Sequence, residues 1–472
     1  MNRRTLSTFL LLSILFALNF NSFAQFQKIY DFDSIHGSNP STTEMLFDGK
    51  WFYGTAYTGG VYNKGVIYKI KPNGSNMTVV YSFGQNLQNG YNPYCHLVKS
   101  GAFLYGTALF SLTPKKGLVF KVDTNGNNYS ILHEFVGGNT DGATPWASLT
   151  ILGNVLFGTT TYGSLNGYGT VYKINTNGSN YHILHSFDLN PYGANPYCTV
   201  TVKDSVLYGV TMNGGLNNKS VFYRIDTSGN NFAKIRDFDS LGGWKPYGEI
   251  IILGDSAYGM TSSGGDYNSG VIYKMNLNGS GYQKLHSFGN GTDGKSPFGS
   301  LIEFQNTLYG ATNTGGTSTF GTLFKIKKDG SQYQKILDFD GGTFGKRPGT
   351  GALVLIGGKI YGTTVNGGNN VTKSYGIIFS TDTIQTVITN ISETPVKNYK
   401  IYPNPAHGNV NIENVSNCEI KVYDITGRLL MINNSENLSQ KVSLDLNGFN
   451  PGIYFVRIKE QNSTYTGKII LQ

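Results

Sequence analysis

Five aromatic residues, Tyr94, Trp146, Tyr197, Tyr247 and Phe298, each directly follow a proline in a recurring Gly-x-x-Pro element. Rings set at equivalent loop positions could stack on sugar rings or grip a peptide, and Trp244 lies close enough in sequence to join them. The same regularity is what a repeated core demands, each ring packing between neighbouring units, so both readings stand. Paired carboxylates would suggest glycoside hydrolysis, and Asp141 and Asp293 both sit in Thr-Asp-Gly. They belong to repeats three apart, too distant for the ~5–9.5 Å that chemistry needs. Asp266 is an isolated candidate. His133, His185 and His286 occupy one position in different repeats, and ligands spread in that way cannot share an ion whose ligand bonds are about 2.1 Å. Cys95 and Cys198 follow the aromatic positions, where every residue is small, and read as buried packing residues; Cys418 stands apart. Three cysteines exclude a disulfide scaffold and a four-thiolate site. No catalytic residue, metal site or cofactor is expected.

The elements that must carry these residues repeat seven times. The glycine of a Leu-Tyr-Gly-Thr motif recurs at 54, 106, 158, 209, 259, 310 and 362, in steps of 50 to 52 residues. Prolines of the Gly-x-x-Pro element recur at 40, 93, 145, 196, 246, 297 and 348. Self-similarity at this period indicates a repeat architecture. Each copy holds four alternating segments, A to D, which in the third copy fall near 147–152, 155–161, 169–175 and 181–187. Asn177-Gly178 between C and D predicts a type I′ hairpin, with related turns in five other copies. The first D segment, 26–32, precedes any A segment, and the last copy stops after C near Ser380. The N-terminal strand should therefore complete the last unit and leave no terminal sheet unpaired. The predicted fold is all-β: a seven-bladed β-propeller over 25–381, a linker over 382–397, and a small β-sandwich over 398–472.

In residues 104–107, 169–173 and 184–187 and their copies, the repeat resembles the tandem repeat known as GloVer, found in secreted bacterial proteins. The resemblance spans 25–381 and implies architecture and export, with no activity attached. The tail carries Pro403-Asn404-Pro405, then Gly427-Arg428, then Pro451-Gly452-Ile453-Tyr454 and finally Lys468. In this order the motifs resemble the type A C-terminal sorting domain of the type IX secretion system. That likeness implies handling by the secretion machinery, removal of the domain, and a Bacteroidetes-type cell.

The N-terminus fits the same route. Arg3 and Arg4 precede an apolar run from Phe9 to Phe20, and Ser22-Phe23-Ala24 supplies a cleavage site, giving a signal peptide over 1–24. No later stretch is long and apolar enough to span a membrane. Glycine (62 of 472 residues) without a G-X-Y period excludes collagen, and a 39% hydrophobic fraction rich in large aromatics excludes disorder. The net charge of +9 would suit nucleic acid, but two arginines fall in the leader, and Lys69, Lys121, Lys173, Arg224, Lys274 and Lys325 are spread one per repeat. That is a solvated rim, not the single stripe nucleic acid requires. The expectation is a monomeric protein, secreted or attached at the outer surface, binding an extracellular glycan or protein without catalysis. A polysaccharide lyase or hydrolase and a purely structural surface protein are the alternatives.

Overall fold

A computed structural model describes residues 26–40, 44–112, 116–348, 351, 353–368, 374–382, 399–415, 417–424, 429–435, 441–459 and 464–472. The expected leader, most of the expected linker, Gly427 and Arg428 lie outside them. The described chain is all-β, with one 3-10 turn at Leu87–Asn89. It divides into two compact units between residues 386 and 387.

The larger unit repeats one antiparallel pattern. In the third copy the strands Thr150–Leu152, Val155–Thr160, Thr170–Asn175 and His182–Ser186 pair in chain order. Seven such sheets occur among the described residues, the second gaining a fifth strand at Tyr91–Pro93. The first strand of the chain, Gln27–Asp31, pairs with the last strand of the repeats, Ile377–Asp382, with Gln27 opposite Ser380 and Asp31 opposite Ile377. That last strand reaches one residue past the expected boundary.

The middle strands are buried on both faces because each sheet packs against two others. Phe52–Ala56 is buried throughout. Outer strands such as Ser130–Glu134 are only half-buried. The recurring glycine has a steric cause: a Cβ on Gly158 would stand 2.5 Å from the hydroxyl of Tyr172, whose ring lies across that strand. On its other side Tyr172 meets Phe135, the residue ending the previous copy's D segment, edge-on at 5.2 Å. The edge-to-face pair is a favoured aromatic geometry. It recurs from Phe83 on Phe120 to Phe339 on Phe379, and Phe32 closes on Tyr68 at 5.1 Å.

The C–D turns differ from the expectation. Gly178 has φ 88° while Asn177 is not among the residues at positive φ, so this is not a type I′ turn. Gly178 N–H donates to Asn175 O and Asn175 N–H to Ser179 O, giving a three-residue loop ending in a left-handed glycine. The asparagine works through its side chain instead, Oδ1 accepting from Ser179 N–H at 3.0 Å.

The smaller unit holds two sheets. One joins Lys400–Tyr402, Asn409–Glu413 and Lys441–Asp445; the other joins Leu429–Ser435, Cys418–Tyr423, Gly452–Lys459 and Thr464–Leu471. Val410, Ile412 and Leu444 from the first share one core with Ile420, Val422, Val456 and Ile469 from the second.

Candidate functional site

The Gly-x-x-Pro loops position their aromatics through an unusual backbone. The residue before each proline is left-handed in all seven copies, including Thr144 (φ 57°), Lys245 (φ 58°) and Arg347 (φ 59°). A residue before proline favours extended backbone, and a β-branched residue at positive φ is a genuine outlier. Cross-links to the preceding copy hold the conformation. Thr144 N–H donates to Lys116 O and Asn195 N–H to Tyr168 O, both at 2.8 Å. The prolines seat on small residues of that same copy: a Cβ on Gly117 would lie 2.6 Å from Pro145 Cδ, and one on Gly376 would lie 2.8 Å from Pro40 Cδ.

These loops bring five of the six predicted aromatics together. Tyr94, Trp146, Tyr197, Tyr247 and Phe298 line one cavity of about 420 Å³. Each ring touches the next, at centroid distances of 4.5, 5.4, 6.0 and 4.3 Å in that order. Tyr57 extends the row, 5.8 Å from Tyr94. Burial raises the phenols of Tyr94, Tyr197 and Tyr247, so their hydroxyls stay protonated. Trp244 is not brought to the cavity. It is half-buried between the ammonium groups of Lys219 and Lys245, at 4.1 and 4.4 Å.

Beneath the rings lies a set that the sequence reading missed. The residues two positions before the inner strands are Glu44, His96, Ser148, Thr199, Glu249 and Ser300, and all six line the same cavity. The hydroxyls tie neighbouring copies: Ser148 Oγ accepts His96 N–H at 2.7 Å, and Ser300 Oγ accepts Glu249 N–H at 3.0 Å. Burial raises both Glu44 and Glu249 above the ordinary carboxylate range, and the charge of Glu44 adds to the effect on Glu249. Burial lowers the His96 imidazole to about 4, against a hydrogen bond to the backbone of Leu149.

The other candidates have structural partners. Asp141 is buried; burial pushes its carboxyl up, but hydrogen bonds from His133, Tyr181 and the Val136 N–H outweigh that and hold it below its ordinary value. Asp293 accepts from Gly289 N–H and contacts His286 at 2.9 Å. The three histidines stack on the next copy's Tyr181, Phe232 and Tyr333 at 3.6, 3.5 and 3.8 Å. Asp266 pairs with Lys284. Cys95 and Cys198 are buried free thiols, and Cys418 is buried too. Among the described residues no group of three or more His, Cys, Asp or Glu could hold a metal ion. Two of the rim lysines cap the next copy's turn: Lys69 Nζ donates to Thr124 O at 3.0 Å and Lys173 Nζ to Thr227 O at 3.4 Å.

In the smaller unit, Asn404 joins the first tail motif to the last strand. Its Nδ2 donates to Lys468 O at 2.6 Å and its Oδ1 accepts Ile470 N–H at 2.8 Å. Pro403, Pro405, Pro451, Gly452 and Lys468 are exposed, while Tyr454 is buried and donates to Asn450 O.

With this geometry the family assignment is direct. The Gloeobacter/Verrucomicrobia repeat model matches residues 14–166 and 151–379, and the chain belongs to that family. A secretion system C-terminal sorting domain matches 400–472, which marks the chain for type IX secretion and release or surface attachment. No curated protein matches the chain. Among solved structures it is similar to an oligogalacturonate lyase in complex with manganese (12% identity, TM-score 0.49, covering 77% of this chain and 94% of that one). It is also similar to the tricorn protease (12% identity, TM-score 0.37), matching 91% of this chain but only 43% of that one. Likenesses at this level bear on no activity of this chain. No helix of the described residues is long and apolar enough to cross a membrane.

Proposed function

We propose that the repeats, residues 25–381, form a closed seven-bladed β-propeller whose aromatic-lined cavity binds an extracellular glycan or protein without catalysis. Seven sheets support the blade count, and ring closure is supported by the pairing of Gln27–Asp31 with Ile377–Asp382 and by the Phe32–Tyr68 and Pro40–Gly376 contacts. Residues 1–24 act as a cleaved signal peptide, 382–397 as a linker, and 398–472 as a small β-sandwich read by the type IX machinery of a Bacteroidetes-type cell. Within that tail, Pro403, Asn404, Pro405, Gly427, Arg428, Pro451, Gly452, Tyr454 and Lys468 are the recognition residues. The protein works as a monomer.

The observation that carries the binding reading is the unbroken row of rings along one cavity wall. Tandem-repeat packing alone would bury such rings fully between blades, yet all five are only half-buried and line the cavity. Affinity electrophoresis of the full chain through gels containing plant, algal and bacterial polysaccharides tests it. Retardation by one polymer, relieved in Trp146→Ala, is expected. Unchanged mobility in every gel, with no cell-surface protein captured in a Trp146-dependent way, would overturn it.

A further inference from the structure

The cavity has an electrostatic character that its aromatic wall does not by itself explain. Glu44 and Glu249 enter it from different repeats, and neither carboxylate has a hydrogen bond or ion pair among the described residues. Buried carboxylates are normally paired, and the cost of leaving them unpaired is what a bound cation or strong donor would remove. Asn313 lines the same cavity, is 9% exposed, and its Oδ1 is buried without a hydrogen-bond partner among the described residues. The remaining lining adds no cation except Arg347, which forms no ion pair with either glutamate among the described residues; His96 is neutral. The whole chain is basic, yet this recess gathers acceptor side chains behind low-dielectric walls, and a cation entering it would draw both carboxyls toward their charged form.

A metal ion does not fit this lining. Its two carboxylates come from different repeats, and no group of three or more His, Cys, Asp or Glu among the described residues could hold an ion. An organic ammonium fits both features. It carries up to three N–H donors for the acceptors, and its charge is attracted to the faces of Trp and Tyr. We propose that the cavity takes a ligand bearing an ammonium group on a compact body, the cation between Glu44 and Glu249 and the body against Trp146 and its neighbouring tyrosines. This deepens the binding reading above and rests on it. The chemistry is shared by amino sugars and alkylammonium compounds.

Calorimetry on the full chain separates these sources with two matched pairs, glucosamine against glucose and benzylammonium against benzyl alcohol. The ammonium member of at least one pair is expected to bind about tenfold tighter than its hydroxyl partner. Glu249→Gln and Glu44→Gln, close isosteres that keep the fold, should each remove that preference, and Trp146→Ala should weaken both members. Binding should also release protons, read as a buffer-dependent heat, because the cation favours the charged carboxylates. Equal binding within both pairs, or no effect of either glutamine variant, overturns the ammonium proposal while Trp146-dependent binding preserves the wider reading. If none of the four compounds binds but a polysaccharide gel retards the chain, the ammonium proposal falls alone. Failure in both assays removes both.

Discussion

Glu249 keeps a carboxyl group among buried neighbours, and its protonation sets a pH dependence with a definite sign. A carboxyl raised in the folded state contributes stability below its unfolded value of about 4.3 and loses it as pH rises through the raised one. Glu249→Gln should therefore gain on the parent as pH rises from about 5 to 9, read as the shift in urea midpoint. A gap that stays constant with pH would contradict the buried-carboxyl reading. His96 and His185 act in the other direction. Burial lowers both to about 4, so their contribution is present above ~6.5 and lost as pH falls toward 4. The aromatic members of the site were legible in sequence because each stands at a fixed step from a proline. The acidic pair was not. Leu46 begins its strand six residues after Pro40, whereas Val98 begins five after Pro93, so an extra residue shifts Glu44 out of register with His96 and Glu249. Trp244 shows the converse error, since closeness in sequence to Tyr247 did not bring it to the cavity.

The Gly-x-x-Pro loop is the element that turns repetition into a site, and it does so with backbone that its sequence disfavours. Thr144 is β-branched and left-handed, a conformation asparagine adopts more readily, as Asn39, Asn92 and Asn195 do at equivalent positions. Thr144→Asn is expected to stabilise the protein by roughly 0.5–1 kcal/mol, measured by urea unfolding. Destabilisation would mean the threonine side chain matters more than its backbone. Gly158→Ala should have the opposite result. The added methyl meets the Tyr172 ring, and overpacking of this kind costs about 1–3 kcal/mol. An unchanged unfolding midpoint would show that the ring can move aside. Strand order and count followed from the sequence because the segments alternate around turn residues. The C–D turn type did not, because Asn-Gly also suits a three-residue loop in which the asparagine side chain, rather than its φ, does the ordering.

At the scale of the molecule, seven equivalent aromatic contacts make a direct comparison possible. Phe32 packs on Tyr68 as Phe187 packs on Tyr223, both at 5.1 Å, although the first contact joins the N-terminal strand to the first repeat. In a closed ring, Phe32→Ala and Phe187→Ala should each cost about 3–5 kcal/mol in one cooperative transition. An open array would instead fray at its ends, and Phe32→Ala would then give a separate early transition. The pairing of the first strand with the last was readable from the missing seventh turn and the unpaired first segment, whereas the cavity depended on loop geometry that no periodicity records. The pairing of Gln27 with Ser380 also bears on how the chain is made. Partners 353 positions apart carry a large loop-closure entropy, and contacts of such long range make folding slow. A ribosome adding about 5–20 residues per second therefore spends many seconds building a chain whose first strand has no mate. In the closed ring proposed above, full stability would arrive only with the last repeat, which would leave the unfinished polypeptide open to export while it is still a thread.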